Sequence, residues 1–317
     1  MTTAVTPREG YAERSACGPS ERGRASERAW GWGPTRVKML RRRQGAGVGP
    51  RNAKKRFGQH FLEPAWVDKV IRAIDPKSDE VFVEIGPGPG ALTRRLADRA
   101  RAVIAYEIDR DLAAALEDNR PPNVGVVEGD FLDAHISLEP EPATPSALRV
   151  AGNLPYNVAS PILFKLVSLY HGGVHFSDAT VMLQREVADR LVARPGSKEY
   201  GVLSVLIQHS ADVERLLTLP SGAFRPPPKV QSALVRLRFH AADPPVRDAA
   251  VFESLVQAVF TRRRKMLANA LLALPLGMSV TPSVALKAAD LDGRRRPETL
   301  SVAEFAKLAD VLTPGKR

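Results

Sequence analysis

The stretch Val81-Phe82-Val83-Glu84-Ile85-Gly86-Pro87-Gly88-Pro89-Gly90 decides the fold. Its first five residues are an apolar, β-branched run of strand length, and glycine and proline stop it abruptly. Leu92, Leu96 and Ala97 follow at helical spacing, so the loop joins a buried strand to an amphipathic helix. Outward from it the same unit repeats. A second strand over 102–108 carries Glu107 at its end, with Asp109 next, and precedes a helix over 112–116. A third, over 124–127, runs into Glu128-Gly129-Asp130. A fourth stops at Val150-Ala151-Gly152-Asn153-Leu154-Pro155-Tyr156-Asn157. Alternating strand and helix predict a doubly wound parallel sheet with right-handed crossovers.

The pattern continues with strands over 179–183, 213–218 and 232–239. The last two have no helix between them and are candidates for antiparallel pairing. Helices are expected over 186–193 and 202–209, with a loop over 194–200 between them. Residues 241–247 hold two prolines and read as a linker. Beyond it only helical periods occur, over 249–260, 262–273, 283–289 and 301–312. The expected organisation is a disordered basic extension (1–51), a sheet domain (52–243) and a smaller all-α domain (244–317).

Composition narrows the function. The chain has 317 residues, 44% hydrophobic and 26% charged, which suits a soluble globular protein. No apolar run reaches about 18 residues, so no membrane span is expected. A single cysteine, Cys17, excludes an internal disulfide and a cysteine-clustered zinc site, and it fits a reducing cytoplasm. The histidines lack ligand spacing, so metal chemistry is not expected. The net charge of +11 is concentrated: residues 1–56 hold 14 Lys/Arg against 4 Asp/Glu, and the remainder holds 32 against 31. Lys54, Lys55 and Arg56 suit a nucleic-acid phosphate backbone. Residues 1–50 show no sustained period and no secretory signal, and Met39 is a candidate start.

Gly86-x-Gly88-x-x-Ala91 formally fits a dinucleotide fingerprint. Two details turn it away from NAD. Pro87 and Pro89 have no N–H to offer a pyrophosphate, and Glu84, just before the glycines, would repel one. Glu84 suits a cation instead, and S-adenosylmethionine is a sulfonium with no phosphate. Glu107 has two oxygens for the ribose hydroxyls, and Asp130 can accept from an adenine amine. At the fourth strand Asn153 offers one acceptor and two donors, Pro155 stiffens the turn and Tyr156 presents a flat face. The set suits a planar amine.

Residues 54–62, Glu84-Ile85-Gly86-Pro87-Gly88, Asn153-Leu154-Pro155-Tyr156, Gly196-Ser197-Lys198-Glu199-Tyr200-Gly201 and Phe224-Arg225-Pro226-Pro227-Pro228-Lys229-Val230 together resemble the ribosomal RNA small-subunit adenine dimethyltransferase family. The similarity runs from about residue 52 to the C-terminus, where Arg263-Arg264-Lys265 and Glu298-Thr299-Leu300-Ser301 extend it. The resemblance implies a Rossmann-like class I S-adenosylmethionine-dependent methyltransferase sheet with a smaller all-α C-terminal domain. It implies dimethylation of two adjacent adenines near the 3′ end of 16S rRNA in a pre-30S particle, by a cytoplasmic monomer. The donor site it implies comprises Gln59, His60, Leu62, Gly86, Gly88, Glu107, Asp130 and Asn153. His60 departs from the asparagine associated with its position.

The chemistry is consistent with that. An adenine amine is a poor nucleophile because its lone pair is delocalised into the ring. The Asn153 side-chain oxygen and the Leu154 carbonyl are candidate acceptors to localise and aim the pair. Tyr156 and Phe224 are candidate stacking faces for a base taken out of its stack; for Phe224 the alternative is a core residue before a proline turn. Arg262, Arg263, Arg264 and Lys265 are candidate rRNA contacts, with Arg294-Arg295-Arg296 nearby in sequence; a solvated helix face is the alternative. Rival readings are a resistance-type adenine methylase of large-subunit rRNA, a non-catalytic RNA-binding or assembly factor on the same fold and, more distantly, a NAD oxidoreductase.

Overall fold

A computed structural model of the protein describes residues 59–136, 148–274 and 281–314, and the backbone of two short paired strands, Arg36–Val37 and Leu138–Glu139. The expectations for the basic extension, including Lys54, Lys55 and Arg56, fall largely outside the described residues.

Seven strands form one sheet: β1 (Val81–Ile85), β2 (Ala102–Glu107), β3 (Val124–Glu128), β4 (Leu148–Asn153), β5 (Phe176–Gln184), β6 (Ala211–Leu219) and β7 (Ser232–Phe239). Their spatial order is β3-β2-β1-β4-β5-β7-β6. β1 to β5 pair in parallel, and β7 is antiparallel to both of its neighbours. A parallel pair needs a crossover, usually an α-helix, and no α-helix lies between β6 and β7, which pair antiparallel.

The first half is doubly wound. On β1, Val81, Val83 and Ile85 join a core with β4, β5 and helices α4 (Ala159–His171) and α5 (Arg185–Leu191). Phe82 points the other way, into a core with α1 (Pro64–Ile74), α2 (Ala91–Ala97) and Leu116 of α3 (Arg110–Asp118). This is the period-two alternation of a strand buried on both faces. Glu84 shares the Phe82 side, so a carboxylate is built into an apolar layer.

Connectivity reverses between β1 and β4. After β1 the chain winds towards β2 and β3; β4 lies on its other side. A crevice opens at the carboxyl ends of two strands that diverge in this way, and there an open α/β sheet takes its ligand. The strands approach closely at that point: a Cβ on Gly152 would stand 2.5 Å from the Ile85 carbonyl oxygen. The far end of β4 is anchored by Arg149, which donates to both carboxylate oxygens of Asp178 at 3.0 and 2.8 Å, to Glu80 at 2.8 Å and to the Ile74 carbonyl at 2.8 Å.

α6 (Val202–Gln208) serves two cores: Leu203 and Ile207 pack with the sheet, while Val205 and Leu206 join Tyr200 and the C-terminal helices α7 (Ala249–Thr261), α8 (Leu267–Ala270), α9 (Pro282–Ala288) and α10 (Val302–Leu312). The expected helix over 262–273 is corrected. Residues 262–265 form a turn, and α8 begins only after Met266. The Leu267 and Ala268 N–H groups donate to the Arg295 and Gly293 carbonyls at 2.7 and 3.1 Å, so a tertiary contact takes donors that a continuous helix would use internally.

Replacing Gly152 by alanine should destabilise the fold by about 2 kcal/mol, because the clash is with backbone. Gly222→Ala, where a Cβ meets nothing within 4 Å, should leave the melting temperature nearly unchanged. Equal melting temperatures for the two variants would contradict the close approach.

Candidate functional site

The crevice is walled by the glycine loop, the ends of β1, β2 and β4, and a strap over residues 59–63 laid across its mouth. Counting the part open to solvent, it encloses about 790 Å³. Its described lining includes Gln59, His60, Leu62, Glu84, Gly86, Gly88, Glu107, Ile108, Asn153, Leu154, Pro155, Tyr156 and Met182. Most of the residues expected at the donor site, separated by up to about a hundred positions in the chain, are thus brought together.

The loop conformation explains its glycines. Gly86, Gly88 and Gly90 have φ of 70°, 55° and 85°, a region that costs any residue with a Cβ. Gly88 also lies under the strap: a Cβ there would be 3.1 Å from the Phe61 ring. The strap is tied down at several points. Gln59 Nε2 donates to Asp109 at 3.0 Å, Phe61 and Leu62 pair with Arg225 and Phe224, and Glu63 N–H donates to the Ala223 carbonyl at 2.8 Å.

The amide of Asn153 is oriented by this strap. Its Nδ2 donates to the His60 carbonyl at 2.6 Å. A carbonyl only accepts, so the NH₂ group faces the strap, and Oδ1 remains an acceptor. The His60 ring stacks on Tyr156, with centroids 5.4 Å apart and planes 26° from parallel. The Tyr156 hydroxyl meets Ser232 Oγ at 2.7 Å, and burial raises its pKa. His60 Nδ1 lies 2.7 Å from the Pro226 carbonyl and must carry the proton there, so in the neutral ring Nε2 is the acceptor.

Two carboxylates stand in the floor, and no Lys or Arg is among the described lining residues. Glu107 is 4% exposed; it accepts from the Gly88 N–H at 2.9 Å and the Asp109 N–H at 2.8 Å. Burial still raises its pKa above the ordinary range. Glu84 is 1% exposed, and its Oε2 has no hydrogen-bond partner. Burial pushes it up to about 8, Glu107 adds to this, and only the Thr93 hydroxyl opposes it.

Two expected residues lie elsewhere. Asp130, two residues past β3, is not among the lining residues of the crevice; it accepts from the Leu132 N–H at 2.9 Å, capping a short turn of helix. Phe224 is corrected from a stacking face to a core residue. It is 1% exposed and packs in one cluster with Val67, Met182 and Leu234, because its pairing with Leu62 turns the ring inward. Among the basic candidates, Arg263 donates to the Ser197 carbonyl at 3.1 Å and Arg262 to the Asn269 carbonyl at 3.3 Å, while Arg264 and Lys265 are exposed. Ile108, Met182 and the Ser232 contact to Tyr156 were not anticipated. Ile108 had a signal, its place between Glu107 and Asp109; the other two depend on strand packing.

Comparison with known proteins decides the family. The model of the ribosomal RNA adenine dimethylases matches residues 51–313. The chain belongs to this family. It is 42% identical over 266 residues to ribosomal RNA small subunit methyltransferase A of Acinetobacter baylyi, covering 83% of this chain and 93% of that protein. The protein of the same name in Methylibium petroleiphilum is 42% identical over 270 residues, covering 84% and 98%. A solved dimethyladenosine transferase of Plasmodium falciparum superposes with a TM-score of 0.65 at 26% identity, covering 78% of this chain and 96% of that one. The 23S rRNA methyltransferase ErmE superposes with 0.55 at 29% identity, covering 80% and 99%. The sheet is that of the Rossmann-like class I S-adenosylmethionine-dependent methyltransferases, and the family members are enzymes of that class.

Two outcomes follow from the buried rings and acids. Phe224→Ala should lower stability by about 3 kcal/mol, as for other core phenylalanines, in denaturant unfolding; an unchanged midpoint would return Phe224 to the surface. Glu84 makes stability depend on pH. Between its ordinary value of 4.5 and about 8 the folded chain keeps a proton that the unfolded chain gives up. Its favourable contribution is therefore complete below about 4.5 and is lost as pH rises through 8. Glu84→Gln should flatten the fall of melting temperature across that window, and an unaltered slope would show that Glu84 ionises normally.

Proposed function

We propose that the protein transfers methyl groups from S-adenosylmethionine to the exocyclic N6 amines of two adjacent adenines near the 3′ end of small-subunit rRNA. The observation that carries this reading is the locked amide of Asn153. With Nδ2 committed to the His60 carbonyl, Oδ1 is left as an acceptor at the end of the strand that pairs with β1, and the carbonyl of the next residue, Leu154, is the proposed second acceptor. Two fixed acceptors on the hydrogens of an adenine amine draw its lone pair out of the ring and point it across the crevice. They also stabilise the positive charge that grows on nitrogen. The resulting ammonium is acidic enough to lose its proton to water, so no general base is required.

The lining suits the proposed donor. A cation is complemented by Glu84 and Glu107 with no opposing Lys or Arg among the described lining residues. Glu107 can still receive ribose hydroxyls through the remaining lone pairs of its oxygens. Leu62, Ile108 and Met182 give the crevice apolar walls, and Gly86 and Gly88 let the backbone come close. When bound, the donor supplies an electrophilic methyl group; the chain's own part is to hold the acceptor amine in line and to exclude water. Tyr156, half-buried and fixed through Ser232, offers a ring for the target base. Small-subunit rather than large-subunit rRNA is favoured because the relatives at 42% identity carry the small-subunit name, whereas ErmE is 29% identical. Arg264 and Lys265 are proposed RNA contacts, and Lys54, Lys55 and Arg56 remain proposals from sequence.

Asn153→Ala should reduce methyl transfer to under-methylated small subunits by at least a hundredfold, on the scale of losing a preorganised polar contact, with donor affinity in calorimetry changed only a few-fold. Full activity in this variant would remove Asn153 from the mechanism.

A further inference from the structure

Among the described cleft residues, Glu84 is the one whose environment suits it poorly while the cleft holds only protein. It stands on β1 between Val83 and Ile85, is 1% exposed, and its Oε2 has no partner. The Thr93 hydroxyl on α2 is the one group that favours its charged form. The titratable groups walling the same space are Glu107 from β2, Tyr156 from the loop after β4 and His60 from the strap, with Asp109 behind Glu107. None supplies a permanent positive charge. The nearest carboxylate, Glu107, already accepts two backbone N–H groups, an arrangement that favours its charged form. Two ionised carboxylates in one buried site repel each other, and Glu84, whose Oε2 has no partner, is the one that stays neutral.

We propose that Glu84 holds a proton in the protein alone and releases it when a cationic ligand enters the crevice, so that donor binding and proton release are one event. The inference rests on the proposed donor being S-adenosylmethionine. Its balance is simple: the Glu84 carboxylic acid and the ligand cation become a carboxylate–cation pair, and one proton passes to the buffer. Burial supports the neutral form before binding. A charge brought within a few ångströms in a low-dielectric site then outweighs the cost of ionisation. Glu84 thereby tunes the crevice for a cation over a neutral or anionic nucleotide: such a ligand gains nothing from displacing the proton and meets a repelling charge if it does.

The test is calorimetric titration of the full-length protein with S-adenosylmethionine at pH 6.5, in buffers of different ionisation enthalpy. Plotted against buffer enthalpy, the observed heat should show release of about one proton per ligand. Donor affinity of the wild-type protein should tighten by up to about tenfold per pH unit from pH 6 towards 7.5. Glu84→Gln should bind with a heat that no longer depends on buffer. Binding by the wild-type protein with no buffer dependence would overturn the proton coupling while leaving the methyl-donor reading intact. Absence of any S-adenosylmethionine binding would instead overturn that reading. Should the variant fail to bind or fold, the wild-type buffer dependence decides alone.

Discussion

The close approach of β1 and β4 is the constraint on which the site depends. Gly152 lets the Ile85 carbonyl come nearer than any side chain would permit, and the two strands then send their following loops apart. One loop is the glycine turn; the other is Asn153-Leu154-Pro155-Tyr156. Because both are rooted in adjacent buried strands, a methyl donor lying on the first and an amine held by the second would meet at a distance set by the sheet rather than by flexible segments. Arg149 pins the opposite end of β4 through Asp178 and Glu80, which limits sliding of that strand.

The strap over residues 59–63 couples the two halves. It covers Gly88 with the Phe61 ring, presents the His60 carbonyl to Asn153, stacks the imidazole on Tyr156 and reaches the Pro226 carbonyl beyond. A single short segment thus touches the glycine loop, the Asn153 amide, the Tyr156 ring and the proline turn. The chain distances are large, 93 residues from His60 to Asn153 and 166 to Pro226, so the arrangement exists only once the sheet has closed.

Those separations explain what was legible in the sequence. β1 to β4 were readable because each is a buried apolar run that ends in glycine or a polar residue, and their alternation with amphipathic helices admits few topologies. The antiparallel β6–β7 pair was readable from the missing crossover helix. Glu84, Gly86, Gly88 and Glu107 of the crevice lining followed from acids and glycines at strand ends, Asn153 to Tyr156 from the abrupt stop of the fourth strand, and Gln59, His60 and Leu62 from the family resemblance. What local pattern does not contain is burial and long-range bonding. Phe224 sits in an RNA-methylase-like motif, yet its cross-strand pairing with Leu62 turns it into the core. Residues 262–265 have good helix formers, but carbonyls from residues 293 and 295 claim the next donors and delay the helix to Leu267. Glu84 was readable as a carboxylate for a cation; its unpartnered oxygen and raised pKa depend on the packing around β1.

The central claim is that this crevice methylates adenine amines of small-subunit rRNA. It is tested most directly by incubating the purified protein with labelled S-adenosylmethionine and small ribosomal subunits lacking the modification, then mapping the label by nuclease digestion and mass spectrometry. The account predicts label on the N6 atoms of two adjacent adenines near the 3′ end, approaching two methyl groups on each. Label confined to large-subunit rRNA, or no transfer by a protein that binds the donor, would contradict it.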